Sequence, residues 1–332
     1  MKALVTGGTG FIGSHVARKL VAEKVPVRCL IRDSSKRANL AGLDVEYVTG
    51  DLADAASLKR ALQGCDTLFH VAADYRLWAP HPEEMDRINV EGTRDLLRAA
   101  AEAGVKKIVY TSSVAAVGRP QTNGHLGIGT EDLDPTPEQL VGPYKRSKFL
   151  SDKLVRDFAR DGLPVVLVNP SAPIGSHDIK PTPTGKMIVD FLNGKMPAYV
   201  DTGMNFIAVE DVAAGHWLAC QKGRAGERYI LGNKNITLKA FLDTLARLSG
   251  RPAPRIRIPY AVAYLAGAVS TGLSHLTRRE PMIPLDAVRM AHEPMYYDAS
   301  KAVRELGLPQ TPIEEAIRKA VDWFRANGYV RG

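Results

Sequence analysis

Between Lys2 and Gly13 the chain reads KALVTGGTGFIG, an apolar run leading straight into glycines at the spacing G-x-x-G-x-x-G, namely Gly7, Gly10 and Gly13. Ala3, Leu4 and Val5 predict a buried strand, and Phe11, Ile12, Val16, Leu20 and Val21 predict a helix, so the glycines sit in a strand-to-helix turn. Such a turn needs one glycine for backbone geometry, one for close approach of a pyrophosphate and one for tight packing of helix on strand. The helix N-terminus then offers unpaired N–H groups to phosphate oxygens. An ordinary tight turn is the competing reading; the placement between a strand and a helix favours nucleotide binding.

The 332 residues are 45% hydrophobic, enough for one large or two smaller domains. Met1 leads directly into the first strand, so no signal peptide is expected. Cys29, Cys65 and Cys220 are widely separated, without metal-ligand or CxxC spacing, and read as reduced, buried and cytoplasmic. The net charge of +8 suits an anionic ligand. Its cations come in short pairs (Lys36-Arg37, Lys106-Lys107, Arg278-Arg279) rather than in one block, which argues against nucleic acid.

Further strands are expected at Val27 to Arg32, Val45 to Thr49, Thr67 to His70, Lys107 to Tyr110 and Val165 to Val168. Between them lie helical patterns at Ala55 to Leu62 behind an Asp54 N-cap, Glu84 to Ala103 and Gly142 to Asp161, with Thr136 to Gln139 at capping-box spacing. This alternation implies right-handed βαβ units and an α/β fold: a Rossmann-type doubly wound parallel sheet with a smaller C-terminal substrate lobe. Beyond Pro170 the pattern loosens. Met187 to Leu192 and Leu238 to Leu248 read as helices, Phe206 to Val209 and Tyr229 to Leu231 as pieces shared between sheet and lobe. Thr311-Pro312-Ile313-Glu314 reads as N-cap, N1 proline and N3 glutamate of a last helix. The expected division is a dinucleotide-binding unit over residues 1–174, with elements returning near 205–232, and a substrate lobe over 175–204 and 233–332.

Tyr144 and Lys148 stand at i and i+4, on one face of a helix. A phenol with a pKa of ~10 is a poor acid or base at neutral pH, and a neighbouring ammonium favours the phenolate. Thr111-Ser112-Ser113 closes the fifth strand at its carboxyl end, where ligands bind in open α/β sheets, so a hydroxyl there can hold a substrate oxygen beside the tyrosine. A surface helical pair is the alternative for Tyr144 and Lys148 taken alone.

With these segments in order, the chain resembles the extended short-chain dehydrogenase/reductases over essentially its whole length. The resemblance is carried by TGGTGFIG at 6–13, GDLAD at 50–54, HVAA at 70–73, NVEGT at 89–93, TSSVAAVG at 111–118, YKRSK at 144–148 and NPSAPIG at 169–175. DYRLW at 74–78, GPYKRSKFL at 142–150, DIKPTPTGK at 178–186 and FLNGKMPAYVDTG at 191–203 are similar to the hopanoid-associated sugar epimerase group, itself similar to dihydroflavonol 4-reductases.

The resemblance implies Tyr144 as general acid/base, Lys148 as the group that lowers its pKa and binds the nicotinamide ribose, and Ser113 as hydrogen-bond partner of the reacting oxygen. It implies cofactor contacts from Gly7, Thr9, Gly10, Phe11, Ile12 and Gly13 at the phosphates, and from Asp51 and Leu52 at the adenine. Val71, Ala72 and Ala73 would follow along the cofactor's path, with Thr111, Asn169, Pro170 and Ser171 at the nicotinamide end. Asn89 would be a structural link. At the end of the second strand Arg32 precedes Asp33, and an arginine there accommodates the 2′-phosphate of NADP, so NADP is expected ahead of NAD. The resemblance also implies a small-molecule substrate and a homodimer built on the helices near 84–103 and 142–161.

Nucleotide-sugar epimerases commonly grip the diphosphate with an arginine where this chain has Met204, and methionine cannot replace a guanidinium. The expected activity is therefore interconversion of a hydroxyl and a ketone on a sugar-like, polyol or polycyclic substrate, linked by the resemblance to hopanoids. The alternatives are a sugar epimerase without net redox change and a cofactor-sensing binding protein. Tyr75, Arg76 and Trp78 are candidates for substrate contact or a packed loop, and Glu131-Asp132 reads as a polar loop. Tyr260 to Thr277 carries no formal charge and is flanked by Arg255, Arg257, Arg278 and Arg279. It is expected to be a buried helix, with contact to a membrane surface or an apolar substrate as the alternative.

Overall fold

The computed structural model describes residues 1–76, 78, 81–122, 124–277 and 281–331. Strand β1 (Ala3–Thr6) enters α1 (Phe11–Ala22) through the glycine turn, and β2 (Val27–Ile31), β3 (Glu46–Thr49), α2 (Ala55–Leu62) and β4 (Thr67–His70) follow. Asp54 caps α2 by accepting from the Ala56 and Ser57 amides at 3.0 and 3.2 Å. The next helical run comprises α3 (Glu83–Asp86), a π turn (Arg87–Glu91) and α4 (Gly92–Glu102), and it leads to β5 (Lys107–Thr111). A small hairpin of β6 (Gln121–Thr122) and β7 (His125–Leu126) precedes α5 (Gly142–Arg160) and β8 (Val165–Pro170).

The remaining elements are β9 (Ala172–Ile174), α6 (Pro183–Leu192), β10 (Ala198–Val200), β11 (Gly203–Ala208), α7 (Val209–Lys222), β12 (Arg228–Leu231) and β13 (Lys234–Thr237). They are followed by α8 (Leu238–Ser249), β14 (Ile256–Ile258), α9 (Tyr260–Thr277), α10 (Leu285–Met290), α11 (Ser300–Leu306) and α12 (Ile313–Ala326).

Seven parallel strands form the main sheet in the order β12-β8-β5-β4-β1-β2-β3. The order reverses at β1, so the carboxyl ends of β1, β4, β5 and β8 open on one crevice. Both faces are apolar, as a buried parallel sheet requires: Val16, Leu20, Val212 and Leu306 belong to one core, and Leu58, Leu96, Leu97 and Val155 to the other. A third core joins α6, α8 and α12 to β11 through Phe206, Phe241, Ile317 and Phe324, with Phe206 and Phe241 stacked at 4.6 Å. There β11 pairs with β9 and β13 in a separate three-stranded sheet, while β12 returns to the main one.

Four local expectations change. The helix expected over Glu84 to Ala103 contains the π turn, because Asn89 turns inward to donate to the Asp74 carbonyl (2.8 Å) and Ser147 Oγ (3.0 Å). Residues Pro137–Gln139 make only a 3₁₀ turn, since the Gln139 side chain bonds both backbone groups of Arg119. Thr311 is not a cap; its amide and hydroxyl donate to Asp211 at 2.7 and 2.8 Å, tying the start of α12 to α7. Finally, α9 is not buried: Val262, Leu265, Val269, Leu273 and Leu276 are all exposed. Arg278 and Arg279 lie outside the described residues.

Asp211 is buried and accepts both Thr311 bonds, so truncation strands two donors. Asp211→Ala is expected to cost about 2 kcal/mol, read as a lower urea midpoint with an unchanged slope.

Candidate active site

Three glycines shape the crevice floor by what a side chain would strike. Gly7 has φ +70, and a Cβ there would lie 2.7 Å from the Ala72 amide nitrogen. A Cβ on Gly13 would lie 2.1 Å from the Gly7 carbonyl oxygen, so α1 seats directly on the turn only because that position is bare. Gly10 precedes α1 without a capping side chain, which leaves the first amides of the helix facing outward. This bare cradle at a helix N-terminus fits a pyrophosphate.

Opposite the turn, Val71, Ala72 and Ala73 are held by a buried relay. The amides of Val71 and Ala72 donate to Thr6 Oγ1 at 3.2 Å, Thr6 Oγ1 meets His70 Nδ1 at 2.8 Å, and His70 Nε2 meets Thr93 Oγ1 at 3.0 Å. Burial, helped by the nearby Lys148 charge, lowers the His70 pKa to about 3, so the relay is neutral. Thr9 lies beside the loop after β2, where Asn39 Nδ2 donates to its carbonyl at 3.2 Å. Arg32 is exposed with no side-chain partner among the described residues, and Asp33 beside it is exposed too. Asp51 spends one oxygen on the Ala53 amide, and Leu52 packs against Gly92.

On the other side of the crevice the three residues assigned to chemistry meet. Ser113 follows β5 by two residues and Tyr144 stands in the first turn of α5, with the Ser113 side chain close enough to the phenol to favour its ionised form. Burial raises the Tyr144 pKa above its ordinary value, and the nearby Ser113 only partly offsets this. Lys148 is buried, and its ammonium donates to the Thr111 carbonyl at 2.9 Å and reaches Tyr110 Oη at 3.5 Å. Its own pKa falls to about 8 through burial, partly opposed by Asp152. The expected lowering of the Tyr144 pKa by Lys148 is therefore absent in this geometry: the ammonium is spent on Thr111, and desolvation dominates at the phenol.

What fixes this corner is Asp152, fully buried, which accepts from Ser112 Oγ (2.5 Å), Asn169 Nδ2 (3.3 Å) and Arg156 Nε (3.0 Å). Asn169 Nδ2 also donates to the Ser113 carbonyl at 3.0 Å, joining β8 to the segment that follows β5. Asn169 Oδ1 and Ser171 Oγ are buried without a hydrogen-bond partner among the described residues. Such atoms at the carboxyl end of β8, flanking Pro170, fit an amide-bearing ligand such as a nicotinamide. Sequence reasoning missed Asp152, although Tyr144, Lys148, Asp152 and Arg156 recur at i+4 on one helical stripe.

The Tyr75-Arg76-Trp78 trio is only partly available. Arg76 is committed to Asp74, with both carboxylate oxygens 3.0 Å from its Nε, and Tyr75 Oη donates to the Lys180 carbonyl at 3.4 Å. Leu77, between them, lies outside the described residues. Asn89 accepts from the Asp74 amide at 2.7 Å and so acts as the link between this loop and α5. Glu131 is buried and accepts from the Ile230 amide of β12 at 2.9 Å, a structural duty.

Residues 3–232 match the NAD dependent epimerase/dehydratase family. The chain belongs to this family. It is 46% identical over 331 residues, 98% of this chain and 95% of the relative, to a Synechocystis sp. protein provisionally assigned as a dihydroflavonol 4-reductase. It is 37% identical over 333 residues, 99% of this chain and all of the relative (100%), to sterol demethylase protein B of Methylococcus capsulatus. Among solved structures, the dTDP-glucose 4,6-dehydratase DesIV of Streptomyces venezuelae, with NAD and TYD bound, superposes with a TM-score of 0.79 at 27% identity, covering 100% of this chain and 99% of that one. A family member with these relatives is an enzyme of oxidoreductase or epimerase type, and its fold is the extended short-chain dehydrogenase/reductase fold.

Lys145, next to Tyr144, is buried with no hydrogen-bond partner among the described residues, and its pKa falls to about 8, through burial first and the Arg119 charge second. The folded pKa lies below the unfolded value, so charging Lys145 opposes folding fully below pH 8, and the penalty fades as pH rises toward ~10.4. Lys145→Met is expected to gain about 2 kcal/mol of stability at neutral pH. The gain should shrink steadily in urea titrations repeated from about pH 8 to about pH 10.

Proposed function

We propose that the protein is an NADP(H)-preferring oxidoreductase that interconverts a secondary hydroxyl and a ketone on a polycyclic, polyol or sugar-like substrate, in the manner of a dihydroflavonol 4-reductase. The observation that carries this reading is that Ser113, Tyr144 and Lys148 gather at the carboxyl end of β5, where Lys148 is bound to the Thr111 carbonyl and Asn169 to the Ser113 carbonyl, in the same sheet whose β1 ends in the bare glycine turn. When bound, the dinucleotide supplies a nicotinamide ring that exchanges hydride with the substrate carbon. Gly7, Thr9, Gly10, Phe11, Ile12 and Gly13 hold the phosphates, and Asp51 and Leu52 flank the adenine. Val71, Ala72 and Ala73 line the cofactor's path, Lys148 binds the ribose, and Thr111, Asn169, Pro170 and Ser171 border the nicotinamide.

Tyr144 moves the proton at the substrate oxygen while Ser113 hydrogen-bonds that oxygen. A Tyr144 pKa above the ordinary value keeps the phenol protonated at neutral pH. That is the form needed to donate a proton as a ketone is reduced. The relative named for sterol demethylation supports a polycyclic substrate, and a hopanoid-related alcohol or ketone belongs to that class. Met204 in the place of a diphosphate-gripping arginine supports a substrate that is not nucleotide-linked. Exposed Arg32 suits the 2′-phosphate of NADP. The cytoplasm, with free buried cysteines kept reduced, is the proposed compartment, and a homodimer the proposed assembly.

Screening ketones and sugars for NADPH consumption tests the activity. On a substrate so found, Tyr144→Phe should lower kcat by about 10²–10⁴; unchanged turnover would refute the mechanism. Alcohol oxidation should rise with pH while ketone reduction stays flat through neutrality. Interconversion of two sugar epimers without cofactor consumption would replace the reductase reading with an epimerase. Fluorescence titration should give tighter binding of NADPH than of NADH, with Arg32→Ala erasing the difference, and tighter NADH binding would overturn the cofactor preference.

A further inference from the structure

Helix α9 is apolar on two opposite sides. One side, with Ala263, Gly267 and Ser274, faces the protein, and Gly267 packs against Leu285 and Val288 around α10. The other side carries Val262, Leu265, Val269, Leu273 and Leu276, which at 100° per residue fall within about 80° of arc. These five are 57, 66, 57, 56 and 83% exposed, and Met282 just beyond the helix is 93% exposed. Their stripe runs about 21 Å along the helix. A continuous aliphatic stripe this exposed is a docking face rather than ordinary surface scatter.

The surrounding charge says what docks. From Thr244 to Arg279 the sequence has six arginines and no aspartate or glutamate. Arg251 and Arg255 are exposed and lack an ion-pair partner among the described residues, and Arg257 meets Asp201 at 3.2 Å in an exposed pair that water and salt screen. Tyr264, partly exposed on the flank, has the Arg289 guanidinium over its ring at 6.0 Å, and Arg289 also faces Asp286 at 3.6 Å. A twofold contact between copies through this stripe would bring two net-positive segments into one interface, which opposes self-association.

We infer that the exposed face of α9, together with the exposed arginines of the segment leading into it, is a docking surface for an anionic phospholipid membrane, on which the helix lies in the interface plane. Among the described residues no helix is long and apolar enough to cross a membrane, which leaves insertion of one face. The aliphatic stripe enters the acyl boundary while Arg251, Arg255 and Arg257 meet the lipid phosphates. The docked segment adjoins the active site, because Asp286 at the start of α10 abuts Gly142, the first residue of α5. Docking would bring the crevice to the lipid surface, where an apolar polycyclic substrate resides; that consequence rests on the proposed function, whereas membrane binding does not.

The test is flotation of the full chain with vesicles of phosphatidylcholine, with and without phosphatidylglycerol, at low salt. The protein should float with the mixed vesicles and at least about tenfold less with phosphatidylcholine alone. Leu265→Ser with Leu273→Ser, and separately Arg255→Gln with Arg257→Gln, should each weaken binding by about tenfold or more. All four positions are exposed, so unchanged thermal melting and NADPH titration serve as the fold control. A wild-type protein that stays unbound by the mixed vesicles, or variants that float like wild type, would overturn the inference. So would a concentration-dependent dimer that the serine pair dissolves while vesicles are ignored. Loss of ketone reduction without loss of flotation would count against the catalytic reading alone.

Discussion

A buried carboxylate must be paired or hydrogen-bonded on every side, and Asp152 meets that demand by drawing three elements together. Ser112 comes from the end of β5, Asn169 from β8 and Arg156 from the next turn of α5. Arg156 and Arg228 both reach on to Asp134, so the cluster extends from the sheet to the loop before α5. The result is a rigid corner in which α5 has one permitted depth and rotation against the sheet. Tyr144 and Lys148 ride on that helix, two turns and one turn before Asp152, and Ser113 follows Ser112 directly. The Tyr144 and Ser113 side chains are therefore positioned by a buried carboxylate, two turns beyond Tyr144 on the same helix and bonded to the Ser112 next to Ser113.

On the opposite bank of the crevice, position is set by the absence of atoms. Gly13 lets α1 touch the Gly7 carbonyl, and Gly7 lets the turn touch Ala72. Thr6 then bonds two amides beyond β4, and His70, neutral because it is fully buried, passes the constraint on to Thr93 of α4. A charged histidine at that depth would be costly, and a hydroxyl on either side lets one neutral tautomer satisfy both neighbours. The two banks share the same sheet, so the distance between them follows from strand spacing and strand order.

The C-terminal part follows another logic. Its core is aromatic and aliphatic, built around stacked Phe206 and Phe241, and it is tied to the main sheet by polar clamps such as Asp211 with Thr311 and Asn205 with the Tyr297 carbonyl. Helix α9 stands outside that core. It carries no formal charge, and an aliphatic stripe of the kind that normally faces a core runs along its exposed side. The fold covers the Ala263, Gly267 and Ser274 side and leaves that stripe to a partner.

Fold class, the strand-turn-helix opening and the gathering of Ser113, Tyr144 and Lys148 at one end of the sheet are all legible in the amino-acid order. Periodicity, glycine spacing and the i to i+4 relation are local properties, and parallel βαβ topology leaves little freedom once they are set. The Asp54 cap was legible for the same reason. Where long-range polar partners fall depends on the packing of distant segments. Thr311 fits an N-cap in sequence but is claimed by Asp211 a hundred residues away, and Gln139 is claimed by Arg119. Lys148 sits one turn from Tyr144, yet its ammonium goes to Thr111, because a buried cation takes the carbonyl within reach. The same holds for α9. An uncharged run of eighteen residues states that apolar surface must be covered, but whether protein or something else covers it depends on which helices pack nearby, and here only one side is taken.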